Sequence, residues 1–185
     1  MKEGNMLQHE AFHKPLLQMK GQSVPLLGYH LVRDHVLATI TGEHQSSILY
    51  WAGKTLAEQF EFQSFEEIRN FFLDAGWGYL EVKQDKAAVK HFLLDSPQFQ
   101  YRTLPVIEST FALECGFLSQ ALGKLEDKET EGDYRLQSKE QKDTVHFTVY
   151  FHDSPSEYKG NDSNMNESNN PQVGEKSSKE KSKQK

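Results

Sequence analysis

Thr144-Val-His-Phe-Thr-Val-Tyr-Phe-His152 alternates apolar and polar residues without a break. Val145, Phe147, Val149 and Phe151 take one side; Thr144, His146, Thr148, Tyr150 and His152 take the other. A period of two is the pleat of a β-strand, and the clean division means one face meets a core while the other meets water. Such a strand needs a partner, and the preceding segment supplies one. Gly132 to Ser138 presents Tyr134 and Leu136 at the same alternation, with a turn at Lys139 to Lys142. Leu136 then falls opposite Val145 and Tyr134 opposite Phe147, so the inward faces agree.

Ahead of this hairpin, a long helix is predicted over about Val106 to Leu125. Phe111, Cys115, Leu118, Leu122 and Leu125 form one stripe, and Ala112, Gly116 and Gly123 a second, narrow face. Asp95 to Pro105 reads as a linker punctuated by Pro97 and Pro105. Before it, Trp77 to Lys83 and Ala88 to Leu94 read as another hairpin around a polar turn at Gln84-Asp85-Lys86. The expected register sets Val82 opposite Val89, Glu81 opposite Lys90, Tyr79 opposite Phe92 and Trp77 opposite Leu94. Upstream again, Ser64 and Glu67 make a capping box for a helix striped by Phe65, Ile68, Phe72 and Leu73 and stopped at Gly76. A helix over Ser47 to Phe60, capped by Ser46 or Ser47, repeats Ile48, Ala52, Leu56 and Phe60 every four residues, with Leu49 beside them. A first helix runs from about Pro25 to Thr39, with Leu27, Leu31, Val32, His35 and Val36 near one face, and ends at Thr41-Gly42. The order is ααα-ββ-α-ββ. The expected fold class is α+β: a four-stranded antiparallel sheet of two hairpins, covered on one face by helices.

The chain has 185 residues, which suits one domain. Its boundaries are expected at residues 23–153, after a weakly ordered segment over 1–22. Ser154 to Lys185 is built of Ser, Asn, Lys and Glu and cannot bury enough apolar area to offset the entropy of ordering, so 154–185 is expected to be a disordered tail. The tail holds six Lys and five acidic residues; the chain is at −6, so the remainder is at −7. An acidic body argues against nucleic acid as a partner. The Lys-rich end, Glu175 to Lys185, reads as a solvated tail. Cys115 is the single cysteine, which excludes an internal disulfide and a multi-cysteine zinc site. His9, His13, Lys14 and Gln18 interrupt any signal-like apolar run, and no stretch approaches the roughly 20 apolar residues of a membrane span. The cytoplasm is the expected location.

Three segments carry a resemblance: Ile48 to Ala57 (ILYWAGKTLA), Phe71 to Gly78 (FFLDAGWG) and Leu113 to Gln120 (LECGFLSQ). Together they resemble the YslB-like family of bacterial proteins, domain of unknown function 2507, over about Val24 to His152. That family is similar in fold to a wider group of 4-vinyl-reductase-like domains, TRAPP vesicle-tethering subunits and haem-dependent nitric-oxide sensors. The resemblance implies a helix-covered antiparallel sheet, often dimeric, in some members with an apolar cavity. It implies no chemistry, because the family has no established activity and fold does not carry function. The Tyr-x-Ser-x-Arg motif of the haem sensors is missing here, as is the Cys cluster of the metal-dependent relatives. The acylated Cys of the TRAPP subunits lies in a different part of the fold from Cys115.

No catalytic residue is assigned. Cys115 sits in an apolar helical stripe, where a thiol behaves as a small hydrophobe, whereas a nucleophile needs an exposed, electropositive setting. No metal site is expected. His30 and His35 are five apart on one helix, and His146 and His152 lie about 20 Å apart along one strand. Glu66/Glu67 and Asp127/Glu129 read as solvated surface, and no Gly-rich loop links a strand to a helix. The candidates that remain are small residues. Ala52, Gly53 and Ala57 suit close helix packing. Ala112, Gly116 and Gly123 suit packing within the chain or a contact across a dimer. Either face, with Cys115, also leaves room for an apolar ligand between helices and sheet. The expected function is a non-enzymatic binding or regulatory module, homodimeric. The alternative is a sensor holding an apolar small molecule, with an enzyme third. No cofactor is expected. The expected partners are a second copy, another protein or an apolar small molecule.

Overall fold

A computed structural model describes residues 18–19, 22–96, 99, 110–139 and 142–152. The expected tail, most of the 1–22 segment and of the Asp95–Pro105 linker, and the start of the predicted fourth helix lie outside the described residues.

The hairpin that decides the fold forms as its alternation dictates. Strands β3 (Glu129–Lys139) and β4 (Lys142–His152) pair antiparallel, with Leu136 opposite Val145 and Tyr134 opposite Phe147. The other hairpin comprises β1 (Tyr79–Lys86) and β2 (Val89–Asp95), and β2 joins β4 so that Phe92 meets Phe147 and Leu94 meets Val145. The sheet order is β1-β2-β4-β3, all antiparallel.

The register expected for the first hairpin is corrected. Leu80 pairs with Leu94, Val82 with Phe92 and Tyr79 with Asp95, and an irregularity between Val82 and Gln84 precedes Gln84 opposite His91. Trp77 stands before the strand, and Gln84, Asp85 and Lys86 lie within it rather than in the turn. Up to Val82 the shift is three residues, an odd number, so it exchanges the faces there: Leu80 is buried and Tyr79 is exposed. β1 is an edge strand with a wet side, so its polar residues are tolerated.

Helices accompany the sheet among the described residues. α1 starts with Leu26–His30, passes through a π turn at Leu31–Val36 and continues as Leu37–Thr41. Within the π turn the Leu37 amide donates to the Val32 carbonyl, five residues back. Gly42, at a φ of 57°, breaks the helix, and a short 3₁₀ turn leads into α2 (Gln45–Ala57). α3 (Phe65–Asp74) is capped by Ser64, whose hydroxyl accepts from the Glu67 amide at 3.3 Å, while the Glu67 carboxylate accepts from the Gln63 amide at 2.8 Å. The reciprocal half of the box therefore lands one residue earlier than its usual place.

α4 (Ala112–Glu126) is the central helix, buried over nearly its whole circumference from Ala112 to Gly123. Its partners are α2 on one side and the sheet on the other. Phe117 stacks on Phe71 at 4.5 Å between ring centroids and meets Trp77 edge-on at 5.3 Å, and Phe72 packs on Trp77 at 5.0 Å. Phe92, Phe147, Leu80, Leu94 and Val145 close the core from the sheet side. Among the described residues, no helix is long and apolar enough to cross a membrane.

Candidate functional site

α1 is amphipathic in reverse. Five of its apolar side chains point to solvent: Leu27 is 66 % exposed and Ile40 74 %, with Leu31, Val32 and Val36 also exposed, while Leu26 and Leu37 are half-buried. His30 and Asp34, on the opposite side, are 3 % and 5 % exposed. The apolar positions grouped from the sequence do share a face, but that face turns away from the body. Exposed single hydrophobes need no explanation, whereas a contiguous stripe opposite a buried polar face does.

The buried side of α1 is seated by charge. Arg33 meets Glu114 of α4 at 2.5 Å, donates to the Thr110 carbonyl at 3.2 Å and to the Tyr29 hydroxyl at 3.3 Å, and lies 5.6 Å above the Phe111 ring. Burial by itself would lower the Arg33 pKa, but Glu114 and Tyr29 outweigh it, and the guanidinium is held above its ordinary value. One turn away, His30 Nδ1 stands 3.1 Å from Asp34 Oδ2. His30 Nε2 and Glu114 Oε2 are buried and have no hydrogen-bond partner among the described residues. Both residues line a cavity of about 10 Å³ with Tyr29, Ser96, Trp77, Phe99 and Phe111. That is the room of a single water molecule.

The small residues are distributed as follows. Gly53 of α2 and Gly116 of α4 face each other's helices: a Cβ on Gly53 would run into the Leu113 carbonyl and lie 2.8 Å from the Phe117 amide nitrogen. A Cβ on Gly116 would run into the Tyr50 carbonyl. Ala57 and Ala112 are buried, and Gly123 faces Thr130 and Lys128, where a Cβ would sit 2.6 Å from Thr130 Oγ1. Ala52 is exposed. The buried side of α2 is thus Leu49, Gly53 and Ala57, one position on from the stripe of Ile48, Ala52 and Leu56 read from the sequence. The glycine permits α2 and α4 to come together at backbone distance, so the small side turns inward.

Cys115 is 1 % exposed, packed against Gly132 of β3. Burial pushes its thiol up to about 12, with Asp133 and Glu114 adding to the effect. Iodoacetamide is therefore expected to leave Cys115 unmodified in the folded chain and to alkylate it in denaturant; ready alkylation of the folded chain would contradict the burial. The same shift makes a pH prediction. The unfolded thiol ionises near 9.0 while the folded one holds its proton to about 12, so this contribution to stability is intact below pH 9.0 and lost as pH rises through that window. Unfolding midpoints measured from pH 8 upward should fall less in Cys115→Ala than in the parent chain.

A second surface feature lies at the head of β3. Tyr50, Trp51, Lys54, Lys128, Glu131 and His152 line an open groove of about 490 Å³. Lys54 lies over Trp51 and Tyr50 at 5.5 and 5.9 Å and donates to the Thr130 carbonyl at 2.9 Å. The Gly132 amide donates to the Tyr50 hydroxyl at 2.9 Å. Two backbone groups of this edge strand are thereby occupied, which blocks strand addition at that end.

Sequence reasoning passed over Arg33, Glu114 and Asp34, and weighed His30 only as a metal ligand beside His35. Two signals were available. Glu114 is the one carboxylate amid the apolar run from Phe111 to Leu118, and His30 and Asp34 are spaced i, i+4 on the side of α1 away from its apolar stripe.

Comparison with known proteins places the chain. Its residues 26–150 match the family described as "Protein of unknown function (DUF2507)". It is 35 % identical over 138 residues to the uncharacterized protein YslB of Bacillus subtilis (strain 168), covering 75 % of this chain and 92 % of that one. Among solved structures it is similar to a vinyl-4-reductase family protein from Methanocaldococcus jannaschii, with a TM-score of 0.56 and 18 % identity over 83 % of this chain and 98 % of the other. A trafficking protein particle complex subunit 3 from Naegleria fowleri, covalently bound to palmitic acid, matches at a TM-score of 0.41 and 15 % identity, again over 83 % and 98 %. The likeness to the vinyl-4-reductase family protein concerns the fold; the sequence matches decide the family, and the chain belongs to the DUF2507 family of proteins of unknown function.

Proposed function

We propose that the chain is a binding module that acts as a homodimer through the outward face of α1, rather than a catalyst. The carrying observation is the reversal of α1: an uncharged apolar stripe in solvent above a buried, charged seat. At their exposed fractions, the five α1 side chains offer roughly 500 Å² of apolar surface, a patch of the size that marks interaction sites and more than half of what one partner contributes to a standard interface. A second copy suits this surface because, apart from the exposed His35, the stripe holds no Asp, Glu, Lys or Arg to repel its own image, and a two-fold contact requires that self-complementarity. The interior supports the same reading over a ligand sensor. Phe72, Phe92, Phe117, Phe147 and Leu118 fill the space between helices and sheet.

Light scattering of the full chain at micromolar concentration should give a dimer. Leu31→Glu combined with Ile40→Glu should give a folded monomer whose unfolding midpoint no longer depends on protein concentration and falls only by what association adds in the parent, because both side chains already face solvent in the single chain. A parent chain that is monomeric at every concentration would overturn the proposal.

A further inference from the structure

On the homodimer reading above, we infer that the π turn Leu31–Val36 is the element that sets the docking face: it keeps the apolar stripe outward along all of α1 while the charged side stays seated. An α-helix advances about 100° per residue. Ile40 follows Leu27 by thirteen residues, so an unbroken α-helix would carry it about 220° round. That is the side of Tyr29 and Arg33, which face Thr110, Phe111 and Glu114. Ile40 would be driven beneath the helix, or Arg33 would be turned off Glu114.

The π turn holds one residue more than an α turn and so removes about 100° of winding. Leu27, Leu31, Val36 and Ile40, spaced four, five and four residues apart, then stay within about a third of a turn of one another. His30, Asp34 and Ala38 stay together on the opposite side, where the first two are buried and the third half-buried. Both halves of α1 thus offer one continuous stripe, which is what a second α1 needs in order to pack along its length.

The surplus residue can be removed while every apolar residue of the stripe and every charged residue of the seat is kept. His35 lies within the π turn and is exposed. Deleting it should close the turn to regular α-helix and leave the stripe and the seat where they are. Deleting a residue from a regular helix would instead rotate everything beyond it by about 100°.

The experiment compares three full-length chains by light scattering and thermal unfolding: the parent, the chain lacking His35, and a chain with one alanine inserted after His35. The deletion is expected to leave the unfolding midpoint within a few degrees and the dimer dissociation constant within about threefold. The insertion is expected to weaken the dimer tenfold or more, because no residue remains to absorb the added rotation. A deletion variant that unfolds, or that melts normally but has lost the dimer, overturns the inference while a dimeric parent leaves the homodimer reading standing. An insertion variant that dimerises like the parent overturns it equally. A monomeric parent overturns the homodimer reading, and the docking role of the turn with it.

Discussion

Arg33→Ala is expected to destabilise the fold by about 3–5 kcal/mol, the range for breaking a buried ion pair from one side. The cost arises at the other partner. Glu114 is 2 % exposed and its Oε2 has no hydrogen-bond partner among the described residues, so removing the guanidinium strands a carboxylate inside the protein. The Thr110 carbonyl loses its donor as well, and the Phe111 ring loses its cation. If water reached the pair freely, the loss would fall to about 1 kcal/mol or less, as for a surface salt bridge. Urea unfolding separates the two cases. The pair variant Arg33→Met with Glu114→Leu should recover most of the lost stability, since apolar side chains of similar volume replace both charges and leave none unmatched. If the pair variant is as unstable as Arg33→Ala, the seat of α1 depends on geometry that only the charges supply.

The same residues show where reading from sequence reaches its limit. The β3–β4 pairing was legible because Val145, Phe147 and Val149 alternate with polar residues and Tyr134 and Leu136 answer them, so one register satisfies the core. The β1–β2 register was not, because Lys90 finds an acidic neighbour in either arrangement. Glu81 looked like its partner; in the structure Lys90 bonds Asp85 at 2.7 Å and Glu126 of α4 at 2.5 Å. The α4 helix supplies the second carboxylate, and no pairing rule between two strands can see it. For α1, periodicity finds an apolar face but cannot say what that face meets. Leu27 and Leu31 pattern as core residues would, and only the burial of His30 and Asp34, with Arg33 paired to Glu114, shows that the helix is turned the other way. The extra residue of the π turn is likewise silent in the sequence, because its spacing of four, five and four looks like drift until both faces are known. Gly53 and Gly116 could be recognised as places where something comes close. That each faces the other's helix depends on the long-range topology, which brings residues 45–57 beside 112–126.

Gly53→Ala and Gly116→Ala should each destabilise the chain by about 3 kcal/mol, at the upper end of what overpacking a core costs. Alanine improves the helix by about 1 kcal/mol at either site, so an uncrowded helical glycine would be stabilised by the change. The crossing of α2 and α4 reverses that sign. The methyl on Gly53 meets the Leu113 carbonyl and the Phe117 amide, and the methyl on Gly116 meets the Tyr50 carbonyl. These are backbone atoms, so no side chain can rotate out of the way and the helices must separate. Separation also loosens Leu49 and Ala57, which are buried at the same crossing, and moves Tyr50, whose hydroxyl accepts from the Gly132 amide. Both methyls act on one gap, so the two substitutions are coupled. Opening it for the first makes room for the second, and the double variant should cost clearly less than the sum of the singles. Equilibrium unfolding of the three variants decides the matter. Full additivity would mean that the two glycines relieve separate contacts, and a stabilised single variant would mean that α2 and α4 do not pack at backbone distance.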